Sequence, residues 1–223
     1  MKKPDYTPRI LLVEGKDEQR VIPHLVESGC GITWEVEKDI AVVYVAETDG
    51  KENLLKEKVI TTYLKSPELS ALGIMIDADE DIDGCWQSIK QVLQTTCPDL
   101  PNDLPRSGLI HHTQDKIKLG IWIMPDNINR GMLETFLLHL RPTSDLLELS
   151  KQVIETAKSA GAPFKDVHKD KAQIYSWLAW QNPPGRQMHD AIKQKLLSEK
   201  PQLLQDFAAW FCELYDLPLE NVV

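Results

Sequence analysis

Several things are scarce in this chain of 223 residues, and each scarcity closes off a class of protein. No apolar run approaches the roughly 20 residues that a bilayer-crossing helix needs, so no contact with a membrane is expected. The opening Met1-Lys2-Lys3-Pro4 lacks the apolar stretch of a secretory signal, and a cytoplasmic location is expected. The four cysteines, Cys30, Cys85, Cys97 and Cys212, are scattered with no C-x-x-C pair, which argues against a structural zinc site and against a disulfide framework. The chain has no G-x-x-x-x-G-K-[ST] phosphate loop, no internal repeat and no low-complexity linker. Positive charge is also short. Residues 1–150 hold 25 acids against 16 Lys and Arg, and residues 151–223 hold 9 of each, so the net charge of −9 arises entirely in the first two thirds. Broad non-specific binding to nucleic acid draws its affinity from Lys and Arg on phosphates, and this balance speaks against it. A phosphodiester substrate is still compatible with the charge, because bound metal ions neutralise local acid. Lys165, Lys169, Lys171, Arg186, Lys193 and Lys195 could add a limited phosphate-facing patch, or serve as ordinary solvated helix charge.

The hydrophobic fraction of 42% and the charged fraction of 26% are those of a globular protein. Apolar runs at Ile10–Val13, Ile40–Ala46 and Leu72–Ile76 have the length of buried parallel strands. Between them, Val21, Ile22, Leu25 and Val26 share one helical face before Gly29. Leu54, Leu55, Val59 and Tyr63 predict one helix that ends at Ser66-Pro67, and Trp86, Ile89, Val92 and Leu93 predict another. This rhythm implies α/β architecture: a mainly parallel, Rossmann-like sheet with helices on both faces. The turn-rich stretch 95–105 reads as a surface loop. Leu109–His112 and Leu119–Met124 then read as strands, joined as a hairpin if Gln114-Asp115-Lys116 makes a tight turn. From Gly131 onward the pattern is helical, with helices expected near 131–140, 145–160, 170–180, 186–198 and 201–215, punctuated by Pro142, Pro163, Pro183-Pro184 and Pro201. An α/β domain over residues 1–140 with a helical extension over 141–223 packed on it is the expected organisation.

Two strands end in acid. Ile10–Val13 runs into Glu14-Gly15, and Leu72–Ile76 runs into Asp77-Ala78-Asp79-Glu80-Asp81, at the strand ends where an open α/β sheet forms its binding crevice. Residues two apart in extended chain point to the same side, so Asp77 and Asp79 could share one ion while Ala78 turns inward. Hard cations such as Mg²⁺ take such oxygen clusters. A helix-capping loop is the plainer alternative, but capping needs one acid and residues 77–83 hold five. Asp79-x-Asp81-x-Asp83-Gly84 also matches the first half of an EF-hand calcium loop. The twelfth position there requires Glu, and this chain has Lys90. His111 and His112, adjacent in a strand, face opposite ways and do not form a zinc site.

The ordered set Val13-Glu14-Gly15-Lys16-Asp17-Glu18 and Ile76-Asp77-Ala78-Asp79 resembles the Toprim domain of topoisomerases, bacterial primases and OLD-type nucleases. Met124-Pro125-Asp126-Asn127 with Gly131-Met132-Leu133-Glu134, and Lys171 with Trp177-Leu178-Ala179-Trp180, resemble a small stand-alone Toprim-related family of unknown function. The resemblance implies a Toprim-like sheet and phosphodiester chemistry on DNA or RNA, with Mg²⁺ or Mn²⁺ as cofactor. It implies Glu14 as metal ligand or general acid/base, Asp77 and Asp79 as metal ligands, and Lys171 as a catalytic cation; by position, Glu134, in the helix after the Trp122–Pro125 strand end, or Asp126, nearer that strand end, could add a further ligand. Helix-cap or surface roles are the alternatives for Glu134 and Asp126, and solvation is the alternative for Lys171. A nuclease is the expected function. The second expectation is a non-catalytic metal-binding regulatory module acting with a separate ATPase, a partner implied by OLD-type proteins alone. A homodimer is an open expectation.

Overall fold

A computed structural model describes residues 8–34, 42–140, 144–197 and 201–219. The apolar runs form strands β1 (Arg9–Val13), β2 (Tyr44–Glu47), β3 (Ala71–Asp77), β4 (Leu109–His112) and β5 (Lys118–Met124). They make one sheet in the order β2-β1-β3-β5-β4, parallel except where β4 runs antiparallel to β5. The expected hairpin turn forms, with Lys116 in the left-handed region at φ 63° and its N–H donating to Thr113 O. Residues 40 and 41 of the expected second strand and Pro142 lie outside the described residues.

Alternate strand residues serve opposite faces. Leu11, Val13, Val45, Met75, Trp122 and Met124 join one core with Val21, Ile22, Leu25 and Val26 of α1 (Lys16–Cys30). Ile10, Leu12, Leu72, Ile74 and Ile76 join the other, which α3 (Glu57–Leu64) and α4 (Ile82–Leu93) cover. The helix expected over residues 54–63 is in fact two, α2 (Lys51–Leu54) and α3. In one continuous helix Leu54 would point about 120° away from Ile60. The break at Leu55-Lys56 lets Leu54, Ile60 and Leu64 all enter the core.

The C-terminal part is helical: α5 (Leu133–His139), α6 (Asp145–Ser159), α7 (Lys169–Ala179), α8 (Met188–Lys193) and α9 (Gln202–Tyr215). The helix expected over 186–198 thus stops at Lys193, and residue 198 lies outside the described residues. Helix α9 lies against the sheet because Gly73 and Gly120, directly opposite each other on β3 and β5, present no side chain. A Cβ on Gly73 would run into the Tyr215 hydroxyl, and one on Gly120 into Leu214. The Tyr215 hydroxyl instead donates to Ile10 O at 2.8 Å. Phe207, Trp210, Phe211 and Tyr215 of α9 are buried in the core. Among the described residues, no helix is long and apolar enough to cross a membrane.

Candidate carboxylate centre

From β1 the chain crosses one face of the sheet through α1 to β2, then returns through α2 and α3 on the other face to β3. β1 and β3 are neighbours, so this is a switch point, and a crevice opens at the carboxyl ends of the two strands. Glu14 follows β1 and Asp77 ends β3; both line a cavity of about 430 Å³ with Asp17, Glu18, Glu47 and Lys171. Glu14 Oε1 accepts from the Asp77 backbone N–H at 2.8 Å, and Asp77 Oδ1 accepts from Leu133 N–H, at the start of α5, at 3.0 Å. Each of these carboxyls therefore ties a strand end to a neighbouring element. No other protein hydrogen bond to either carboxyl occurs among the described residues.

Asp79 departs from the extended geometry that its spacing predicts. Its φ is 57°, a left-handed conformation Asp tolerates, and reciprocal backbone hydrogen bonds of 2.8 Å with Gly131 hold it there. Asp77 and Asp79 consequently meet different partners. Lys51 Nζ lies 2.6 Å from Asp79 Oδ2 and 2.6 Å from Asp77 O. Glu134, 2% exposed, sits in the first turn of α5 and pairs with Lys171 Nζ at 2.8 Å. Lys171 is also 3.9 Å from Asp17. Asp126 stands apart: its oxygens accept from the backbone of Ile128 and Asn129 and from the Asn129 side chain, closing its own turn. The calcium-loop pattern does not form a loop, because α4 begins at Ile82 within it and Asp81 caps that helix through Gly84 N–H at 2.9 Å.

Crowded acid at a half-buried site makes ionisation costly. Burial raises the Glu14 pKa from 4.5 to about 7, with the charges of Asp79 and Glu18 adding to the rise; the Asp77 N–H and Lys51 oppose it. Asp77 is pushed well above the usual carboxylate range, first by burial and then by Glu14, Glu18, Glu134 and Asp79. Glu18, whose Oε2 accepts from Gly15 N–H at 3.0 Å, is raised by burial and then by the charges of Glu134 and Asp17. Burial works against the Lys51 and Lys171 ammonium groups. Burial is the largest single influence on each, but the hydrogen bonds to Asp79 and Glu134 together with the charges of these and neighbouring groups outweigh it, and both pKa values rise.

Among the described residues, no three His, Cys, Asp or Glu side chains are arranged to hold a metal ion. The chemistry of the donors still fits a hard cation, since Glu14, Asp77 and Asp79 supply carboxylate oxygens whose mutual repulsion a cation would relieve. Lys51 and Glu18 belong to the centre although no role there is expected for either from the sequence. A signal existed for Lys51, which directly follows the Glu47-Thr48-Asp49-Gly50 strand end, one more strand end on the binding side of the sheet. Backbone hydrogen bonds from Thr48 to Val13 O and from Gly50 to Glu14 O fasten that loop beside β1. Of the six basic residues considered as one patch, four are divided: Lys165 and Lys169 line cavities on the Asp79 side, Lys171 lies at the carboxylates, and Arg186 lines a separate cleft beside α1.

A family model described as a protein of unknown function (DUF3226) matches residues 8–216. No curated protein matches. Two solved structures of the C-terminal region of the Xanthomonas campestris pv. campestris OLD protein, one phased with mercury and one with iodine, are similar at 17% and 16% identity. The matches cover 92% of this chain and 87% and 86% of those chains, with TM-scores of 0.38 and 0.40. Scores of this size do not bear on function.

Proposed function

We propose that this chain, which belongs to the DUF3226 family, is a Mg²⁺- or Mn²⁺-dependent nuclease of Toprim type. The observation that carries the reading is the convergence of Glu14 and Asp77 at one strand-end crevice, where the Glu14 carboxyl accepts from the Asp77 N–H at 2.8 Å and burial pushes the pKa of both upward. Displaced pKa values cluster at functional sites, where burial and like charges are arranged to shift them. Asp77 and Asp79, which form no three-ligand set with another acid among the described residues, would have to turn onto the cation, with Glu14 either a third ligand or the acid/base beside it and Glu134 a further candidate; Asp126, spent on its own turn, is not needed. A bound Mg²⁺ or Mn²⁺ polarises a phosphoryl oxygen and stabilises the charge that builds during displacement.

The chain's own residues supply the rest. Where Glu14 stays off the cation, its raised pKa of about 7 suits it to take a proton from an attacking water or return one to a leaving oxygen, the range in which acid/base catalysis works best. Lys171, 44% exposed in its side chain, is the cation able to leave its carboxylate and meet a substrate phosphate. Lys51 keeps Asp79 oriented and lowers the proton affinity of Glu14.

The test is cleavage of single-stranded, duplex and supercoiled DNA and of RNA in Mg²⁺, Mn²⁺, Ca²⁺ or EDTA, with wild type, Glu14→Gln and Asp77→Ala. Cleavage that requires Mg²⁺ or Mn²⁺ and disappears in both variants is expected. The pairing of Asp79 and Glu134 with lysines favours a second reading, a metal-binding regulatory module that works with a separate ATPase. Metal binding abolished in Asp77→Ala, with no cleavage of any substrate by wild type, would select it.

A further inference from the structure

A second cleft, of about 280 Å³, opens next to the carboxylate crevice, and Asp17 lines both. Arg20 reaches it from α1, Tyr175 from α7, Arg186 from the loop between α7 and α8, and His189 from α8. Helix α8 packs on α1 through buried Met188, which brings the two arginines to one opening. The Arg186 guanidinium is oriented by its own loop, with Nε donating to Asn182 O at 3.1 Å and Nη2 to the same oxygen. Lys51, Lys118, Lys158, Lys169 and Lys171 all have acid partners. Arg20 and Arg186, like most of the other basic residues, have no acid within salt-bridge distance among the described residues; what sets them apart is that they share one opening. The one acid of the cleft, Asp17, is already engaged by the Tyr175 hydroxyl at 3.1 Å and lies 3.9 Å from Lys171. Two guanidiniums at one opening repel each other and gain from an anion between them. Tyr175 leaves 41% of its surface open beside them.

We propose that this cleft holds a single-stranded segment of the nucleic acid that the carboxylate centre acts on; the inference rests on the nuclease reading above. Arg20 and Arg186 take the phosphate neighbouring the one at the carboxylates, using the planar donor fork that suits phosphate oxygens. The Tyr175 ring stacks on a base, an interaction open to every base and available only when the strand is unpaired. The cleft is smaller than a drug-sized pocket and suits one phosphate with its sugar rather than a duplex. An acidic chain thereby gains its grip on the nucleic-acid backbone at one place, without a broad basic face.

Fluorescence anisotropy tests this with a labelled single-stranded oligonucleotide and its duplex, titrated in EDTA across a salt series so that cleavage does not intrude. The proteins are wild type, Arg20→Gln/Arg186→Gln, Tyr175→Ala and Tyr175→Phe, each checked for folding by thermal melting. Wild type is expected to prefer the single strand. The double arginine variant should flatten the slope of log K against log salt by about 0.7 for each phosphate that the arginines no longer neutralise. Tyr175→Ala should weaken binding roughly 5- to 150-fold, and Tyr175→Phe, which keeps the ring, should not. Preference for the duplex, or a double variant with wild-type affinity and slope, overturns the subsite. The nuclease reading fails separately: single-strand binding through these residues with no cleavage under any metal leaves the cleft standing and removes the enzyme.

Discussion

Replacing Glu14 by Gln is expected to stabilise the metal-free protein at alkaline pH while removing activity. Gln keeps an oxygen able to accept from the Asp77 N–H, now at 2.8 Å, so the link between the two strand ends survives. What disappears is the cost of ionising a carboxyl whose pKa has risen from 4.5 to about 7. A raised pKa means that the folded state holds the proton more tightly than the unfolded chain does. The associated stability is complete below pH 4.5 and is lost as pH rises through about 7. At 1.36 kcal/mol per pKa unit the full loss is on the order of 3 kcal/mol. In a domain of this size each kcal/mol moves Tm by about 2–4 °C, so the variant should melt roughly 6–12 °C above wild type at pH 8 in EDTA. At pH 4.5 the two should nearly coincide. Saturating Mn²⁺ at pH 8 should close much of the gap by stabilising wild type, since a ligand at 100 times its Kd adds about 2.7 kcal/mol. Scanning calorimetry across pH, with and without metal, reads all of this. A Tm difference that does not grow between pH 4.5 and 8 would show that Glu14 ionises freely, and the argument for a charge-stressed crevice would fall with it.

Other perturbations test other links. Lys51→Met removes a charge that lowers the Glu14 pKa, so the acidic limb of the kcat/KM profile should move to higher pH, as measured by initial rates of oligonucleotide cleavage. Because the Lys51–Asp79 pair is partly exposed, with side chains 26% and 42% accessible, its removal should cost only about 0–1 kcal/mol of stability by urea denaturation. Gly120→Ala places a methyl against Leu214 and should destabilise by about 1–3 kcal/mol in the same assay without altering the metal dependence of Tm. Asp126→Ala is expected to leave metal binding by calorimetry unchanged, because that carboxylate serves its own turn.

Strand existence was legible because burial of the parallel strands leaves uninterrupted apolar runs such as Leu72–Ile76, and helix faces were legible because Val21, Ile22, Leu25 and Val26 repeat at helical spacing. Glu14 and Asp77 were legible for a related reason: each is a charge placed where such a run stops. What stayed hidden was whatever depends on distant partners. The turn at Asp79 needs Gly131, and the split of the helix near Leu55 depends on which side chains the core will accept. Local spacing carries neither fact. Lys51 meets its carboxylate 28 positions away, and the Gly73–Gly120 pair acquires meaning only when α9 arrives.

The crevice also joins two features that a stability argument alone would keep apart. Its acids are tied into the fold, Glu14 to the backbone of β3 and Asp77 to the first turn of α5, so their positions are fixed before anything binds. Yet fixing them in a half-buried place gives them high pKa values that oppose folding at and above neutral pH. Cations borrowed from the chain, Lys51 and Lys171, relieve part of that cost by pairing with Asp79 and Glu134. Had stability been the only demand, Gln and Asn would serve at Glu14 and Asp77, with the same acceptors and no charge. On the nuclease reading, carboxyls at the two anchored positions supply a charge and a titrating proton that Gln and Asn cannot, which is why the metal responses of wild type and of Glu14→Gln must be measured together.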